Sequence, residues 1–141
     1  MIIHWDICYE YHHDSSSLAE HFDYDVLLVN PEETHAISYW LAPGSQEEAQ
    51  HALPPGFLPH LRVDLDPDIG AGAARWFPGR VDEMAAEEEG YQPQGFRSWG
   101  SGSTMTIVPG SIARVSYATA RRLALEYADT GRQPIGVRWV G

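Results

Sequence analysis

The fold is decided at the end of the chain, in "VSYATARRLALEYADTGRQPIGVRWVG" (residues 115–141). Tyr117, Ala120, Leu123, Ala124 and Tyr127 recur at helical spacing and form one apolar stripe. Ser116 stands where an N-cap is needed, Gly131 supplies a C-cap, and Pro134 forbids continuation. "IGVRWVG" (135–141) then alternates Ile135, Val137 and Trp139 against Arg138, as a half-buried strand does. A helix with one apolar stripe must cover something, and the strand after it indicates a sheet.

Upstream, short strands outnumber helices. "MIIHWDICYEY" (1–11) alternates and reads as one strand. Ser15 to Ser17 can cap a short helical turn through "SLAEHF" (17–22), with Leu18 and Phe22 on one face. "YDVLLVN" (24–30) reads as a buried strand stopped by Asn30-Pro31, and "THAISYWLA" (34–42) as its hairpin partner. Ser45 and Glu48 have capping-box spacing ahead of a short helix "QEEAQHAL" (46–53). "HLRVDLD" (60–66) puts Leu61, Val63 and Leu65 on one face of a strand. "GAGAARWFP" (70–78) is a strand weakened by its glycines. "GRVDEMAAEEEG" (79–90) reads as an acidic helix or a solvated loop. "GYQPQGFRSWGSGSTMTIVPG" (90–110) reads as two strands joined by a Gly/Ser turn. At 141 residues this is one domain, 1–141, of α+β class. An antiparallel sheet carries one main C-terminal helix and short additional helices.

The charge is the most informative bulk property. The chain carries a net −11 at pH 7, and all nine basic residues are arginine. Residues 1–89 hold 18 acids and 3 arginines, whereas residues 90–141 hold 2 acids and 6 arginines. Such a molecule repels phosphate backbones and attracts basic partners, so direct nucleic-acid binding is not expected. Neither a signal peptide nor a membrane span is expected from the N-terminal stretch or from any apolar run. The single Cys8 forms no internal disulfide and fits a reducing, cytoplasmic setting.

Motifs of catalysis and metal binding fail one by one. "DLDPDIG" (64–70) resembles a calcium loop, but Ile69 and Arg75 stand where that motif needs Gly and Glu. Its alternation instead places Asp64 and Asp66 on a solvent-facing edge. Cys8, in an apolar strand, reads as a small buried hydrophobe. There is no HExxH, no CxxC and no GxSxG, and the serines of "GSGST" sit between two strands. Glu87, Glu88 and Glu89 read as a solvated face. What remains for chemistry is His4, His12 and His13, which support an alternative reading as a small ligand- or metal-binding domain or enzyme.

The last third resembles a known family. Gly95, Phe96, Ser98 and Gly100 form a "G-[FY]-x-S-x-G" strand, and Thr106 and Pro109 sit near a strand-to-loop step. Ala118 and Ala120 open a helix in which Tyr127 precedes Thr130, Gly131 and Pro134, and Val137 and Trp139 close the pattern. Arg132 stands where such proteins often carry a basic or polar residue. In this order the residues resemble the deaminase-associated immunity proteins of bacterial polymorphic toxin systems, immunity family one. The acidic stretch 81–94 has no counterpart there.

The resemblance implies a cytoplasmic protein without catalysis or cofactor of its own. Its partner would be a cognate toxin domain, basic and acting as a nucleic-acid deaminase. Charge and resemblance together place the toxin contact on the acidic stretch. The candidate residues are Asp64, Asp66, Asp68, Asp82, Glu83, Glu87, Glu88 and Glu89, with Trp76 and Tyr91 as aromatic anchors. Arg121 and Arg122 lie off the apolar stripe, near Glu126. The arginines of the last third are expected to face the chain's own acidic half or solvent, and the "RQP" turn and Trp139 to close the fold.

Overall fold

A computed structural model describes residues 1–5, 8–28, 35–50, 59–77, 83–100 and 105–141. The Asn30-Pro31 stop, the Gly/Ser turn at 101–104 and Asp82 lie outside these residues. The described elements are β1 (Ile2–Trp5), β2 (Cys8–Tyr11), α1 (Ser15–Leu28), β3 (Ile37–Ala42), α2 (Gln46–Gln50), β4 (Leu61–Asp66) and β5 (Ala71–Trp76). They continue with β6 (Met84–Glu87), β7 (Phe96–Trp99), β8 (Met105–Val108), β9 (Val115–Ser116), α3 (Tyr117–Thr130) and β10 (Arg138–Val140). The α+β class holds, as a mostly antiparallel sheet with the long C-terminal helix against it.

The sheet runs β10-β6-β5-β4-β3-β1-β2. Its centre is β3, β4 and β5, paired antiparallel from Ile37↔Leu65 to Leu41↔Leu61 and from Leu61↔Trp76 to Asp66↔Ala71. The outer edge of β3 is shared. β1 takes Trp40 to Ala42, and β7 meets Ile37 through a parallel pairing with Trp99. The outer edge of β5 is shared in the same way, by β6 at Arg75 and Trp76 and by β9 at Ala71 and Gly72.

Strand parity assigns the two faces. Ile37, Tyr39, Leu41, Leu61, Val63, Leu65 and Ala74 meet Leu18 and Phe22 of α1 and Ala120, Leu123, Ala124 and Tyr127 of α3 in the main core. Ser116 caps α3 as the sequence predicts, its side chain accepting from Thr119 N. Gly131 ends it at φ 66°, with its N–H on Tyr127 O. At Gly72 the start of α3 lies close against the sheet. A Cβ there would lie 2.8 Å from Ala120 Cβ, so the glycine that weakens the strand pattern is needed for docking. A smaller core lies on the second face, where Phe96 and Val108 of the β7–β8 hairpin and Ala113 cover Ala71 and Ala73.

Four expectations are corrected. "MIIHWDICYEY" is not one strand but an antiparallel pair, from Ile2↔Tyr11 to Trp5↔Cys8. Cys8 is exposed rather than buried. Residues 24–28 are not strand; they are the end of α1, whose N-cap is Asp14, accepting from Ser17 N at 2.9 Å, and not a serine. Consequently β3 pairs with β1 and β4 instead of a strand at 24–30. The stretch 84–87 is strand β6, with Ala86 fully buried, and neither helix nor loop. The capping box is confirmed: Ser45 N donates to Glu48 and Glu48 N to Ser45 Oγ.

Candidate functional site

Asp64 and Asp66 share a face, as alternation requires, but that face is covered by the hairpin. Asp64 is 0 % exposed and Asp66 5 %. The expected solvent-facing edge is therefore wrong at both residues. Asp64 accepts from Ser38 Oγ and from Arg62 Nε at 3.0 Å, and Arg75 Nη2 lies 3.7 Å from its second oxygen. Ser98 of β7 closes over Ser38 at 2.8 Å. Asp64 thus belongs to an internal charge cluster and has no surface to offer a partner. Asp66 accepts from the N–H groups of Asp68 and Ile69, fixing the β4–β5 turn. Burial raises its pKa, against the pull of those two hydrogen bonds.

The run Glu87–Glu89 is divided among three tasks. Glu87 pairs with Arg114 and lies 3.9 Å from Arg138. Glu88 accepts from both N and Oγ of Ser116, at 3.3 and 3.0 Å, at the start of α3. Glu89 is exposed. With Tyr91, these acids line a groove of about 770 Å³, whose other walls carry Arg114, Arg122 and Arg138. The groove is mixed in sign, and of the three glutamates expected on a solvated face only Glu89 is fully exposed.

Beside the groove the acids predominate. Tyr117 N donates to Gly70 O, tying the β4–β5 turn to the same helix end that Glu88 holds. Tyr91 is half-buried there, and its phenol pKa is raised by burial and then by the charges of Glu88 and Asp66. Asp68 and Ile69 stand exposed on the turn. Desolvation opposes ionisation of Asp68, but hydrogen bonds from His35 N and its ring hold the carboxyl below the usual range. The fold therefore brings Asp66, Asp68, Glu88, Glu89 and Tyr91 to one end of the sheet.

The remaining candidates are elsewhere. Glu83 is exposed and bound to Arg75 at 3.1 Å. Trp76 is partly buried and packs edge-on to Tyr127 against the main core, with ring centroids 5.8 Å apart, away from the end of the sheet that carries Tyr91. Asp82 lies outside the described residues. The triad His4, His12 and His13 does not assemble. His4 stacks on Tyr9 and exposed His13 reaches Asp14, while His12 turns inward toward Glu10 and His21. The arginines of the last third divide between the chain's own acids and solvent: Arg121 meets Asp23 at 3.0 Å and Arg122 meets Glu126 at 3.9 Å, whereas Arg97 and Arg132 are exposed. Ile135 N donates to Glu126 and Trp139 Nε1 to Pro134 O, so the "RQP" turn closes the fold.

Sequence reasoning missed one surface. Tyr24 and Leu27 on α1 are 61 % and 80 % exposed. With Glu20 and Asp23 they make an i, i+3, i+4, i+7 stripe that a helical reading of 24–28 would have found. No described helix is long and apolar enough to cross a membrane. The sequence matches no protein-family model, no curated protein and no solved structure.

Proposed function

We propose that this protein is a cytoplasmic immunity protein without catalysis of its own, which binds and neutralises a cognate toxin domain, a nucleic-acid deaminase. The observation that supports this most is the disposal of charge. Six of the eight described arginines, Arg62, Arg75, Arg114, Arg121, Arg122 and Arg138, lie within ion-pair distance of carboxylates of the same chain. Most of the positive charge is set against carboxylates of the same chain, and with a net charge of −11 the surplus is carboxylate. At the end of the sheet that surplus surrounds Tyr91 and Ile69, which offer apolar contact area.

A deaminase acting on nucleic acid needs a basic groove for the backbone and a pocket for an extruded or single-stranded base. Carboxylates at Asp68 and Glu89 would occupy that groove in place of phosphates. Long-range attraction would speed capture, which matters because one free toxin molecule keeps turning over. The resemblance of residues 95–139 to immunity proteins points to the same class of partner.

The test is association with the toxin domain encoded by the neighbouring gene. A one-to-one complex that weakens steeply with salt and protects cells from the toxin supports the proposal. Absence of both association and protection would sink it.

A further inference from the structure

One cluster plays no part in the surface described above. Glu10 lies near the end of β2, His12 follows it, and His21 comes from the second turn of α1. Strand parity sets Glu10 and His12 on one side of the chain, and α1 lays His21 across them. His12 is 4 % exposed. Its Nδ1 lies 2.7 Å from Ser17 Oγ, while its Nε2 is buried without a hydrogen-bond partner, 3.6 Å from Glu10 Oε1. His21 Nδ1 lies 3.2 Å from Glu10 Oε2. Its Nε2 lies 2.8 Å from Asp25 Oδ2, though not along a hydrogen-bond direction. Tyr39 donates to the same Asp25 oxygen at 3.0 Å.

A buried imidazole nitrogen with no partner costs desolvation and gains nothing in return. Something that fits all three donors would remove that cost. Ligand atoms of Glu10, His12 and His21 lie within 4.8 Å of one another. Bonds of about 2.0–2.1 Å at tetrahedral angles place zinc ligands roughly 3.3–3.5 Å apart. Each Glu10 oxygen stands close to that range from one imidazole, Oε1 at 3.6 Å from His12 Nε2 and Oε2 at 3.2 Å from His21 Nδ1.

We propose that Glu10, His12 and His21 form a binding site for a divalent transition-metal ion, with zinc the ion that suits them. His12 would ligate through Nε2, His21 through Nδ1 and Glu10 through its carboxylate. The outer contacts fit this assignment. Ser17 Oγ accepts from His12 Nδ1–H in the tautomer that frees Nε2, and Asp25, held by Tyr39, would accept from His21 Nε2–H after a small turn of the ring, the arrangement that orients metal-bound histidines. Two imidazoles disfavour magnesium and calcium, which prefer oxygen. Glu10 is exposed, so the fourth position opens toward solvent. Bound metal would clamp β2 to α1. The site is independent of the toxin-binding proposal.

The experiment is a titration of the metal-free 141-residue protein with zinc, followed by calorimetry, and with cobalt, followed by absorption. One ion per chain and a tetrahedral cobalt spectrum are expected. Glu10→Gln and His12→Gln should each weaken binding at least about tenfold, as should loss of the outer carboxylate in Asp25→Asn. His13→Gln, on the exposed neighbour, should change nothing. Glu10→Gln alters an exposed side chain and keeps the test decisive if His12→Gln does not fold. Absence of stoichiometric binding, binding undiminished in Glu10→Gln, or binding lost in His13→Gln overturns the proposal.

Discussion

Gly72 lies beneath Ala120 so closely that a methyl group at 72 would meet Ala120 Cβ at 2.8 Å and the Ser116 carbonyl oxygen at 2.9 Å. Two effects compete in Gly72→Ala. Restricting the unfolded chain stabilises by about 0.4–1 kcal/mol. Pushing α3 off β5 costs about 1–3 kcal/mol, because the obstacles are a fixed methyl and a backbone atom. The expected result is net destabilisation, read as a lower denaturation midpoint. A variant as stable as the parent would show that α3 docks less tightly than described.

Asp64 is the carboxylate on which Arg62 and Arg75 converge inside the second face. Asp64→Ala leaves two partly buried guanidinium groups without their shared anion. Breaking a buried pair from one side costs about 3–5 kcal/mol, a large share of the roughly 5–15 kcal/mol total of a small domain. Chemical denaturation should show that loss, whereas Glu89→Gln on the exposed turn should stay within about 0.5 kcal/mol of the parent.

Asp66 gives a pH signature of definite sign. Its folded pKa is raised above the ordinary 3.8, chiefly by burial. A raised acid stabilises the fold while protonated, and that contribution fades as pH rises through the folded value. Asp66→Asn keeps an oxygen for the Asp68 and Ile69 N–H groups but cannot ionise. The variant's stability relative to the parent should therefore climb as pH rises through the Asp66 pKa and level off above it. A difference that is flat with pH would mean that Asp66 is not penalised by burial.

For the toxin complex, the acidic end of the sheet around Tyr91 (the rim) and the missed helix stripe make opposite predictions. If the rim is the contact, Tyr91→Ala should weaken association by about 2 kcal/mol as an anchor residue. Asp68→Asn with Glu89→Gln should mainly slow association and flatten its salt dependence. Tyr24→Ala with Leu27→Ala should leave binding unchanged. Loss of binding in this last variant alone would move the contact to α1.

How much of this was legible depended on where the determining contacts lie. Helix α3 carries its caps and its stripe within one contiguous segment, so Ser116, Leu123 and Gly131 announce it unaided. The end of α1 reads as strand because "YDVLL" is a short apolar run, and periodicity cannot tell such a run from helix. What makes it helix is tertiary: Leu18 and Phe22 in the core and Asp25 held by Tyr39. Strand β6 was hidden by its acidic ending, since its place comes from pairing with β5 and β10, distant in sequence. Parity assigned Asp64 and Asp66 to the correct face, but only the remote β7–β8 hairpin decides that this face is enclosed. His21 carried no signal because Glu10 and His12 reach it only after the chain turns into α1.

The shared outer edges of β3 and β5 restrict how another protein can engage this one. Along most of their length the three central strands already have neighbours on both sides, so a partner cannot extend the sheet there by backbone pairing. Among the described residues, open strand edges are left mainly to the short strands β2, β7, β8, β9 and β10, of four residues or fewer. A toxin bound at the sheet end, as proposed, would therefore be recognised mainly through side chains and shape, and the choice of partner could be retuned by point substitutions on the turns without disturbing the scaffold beneath.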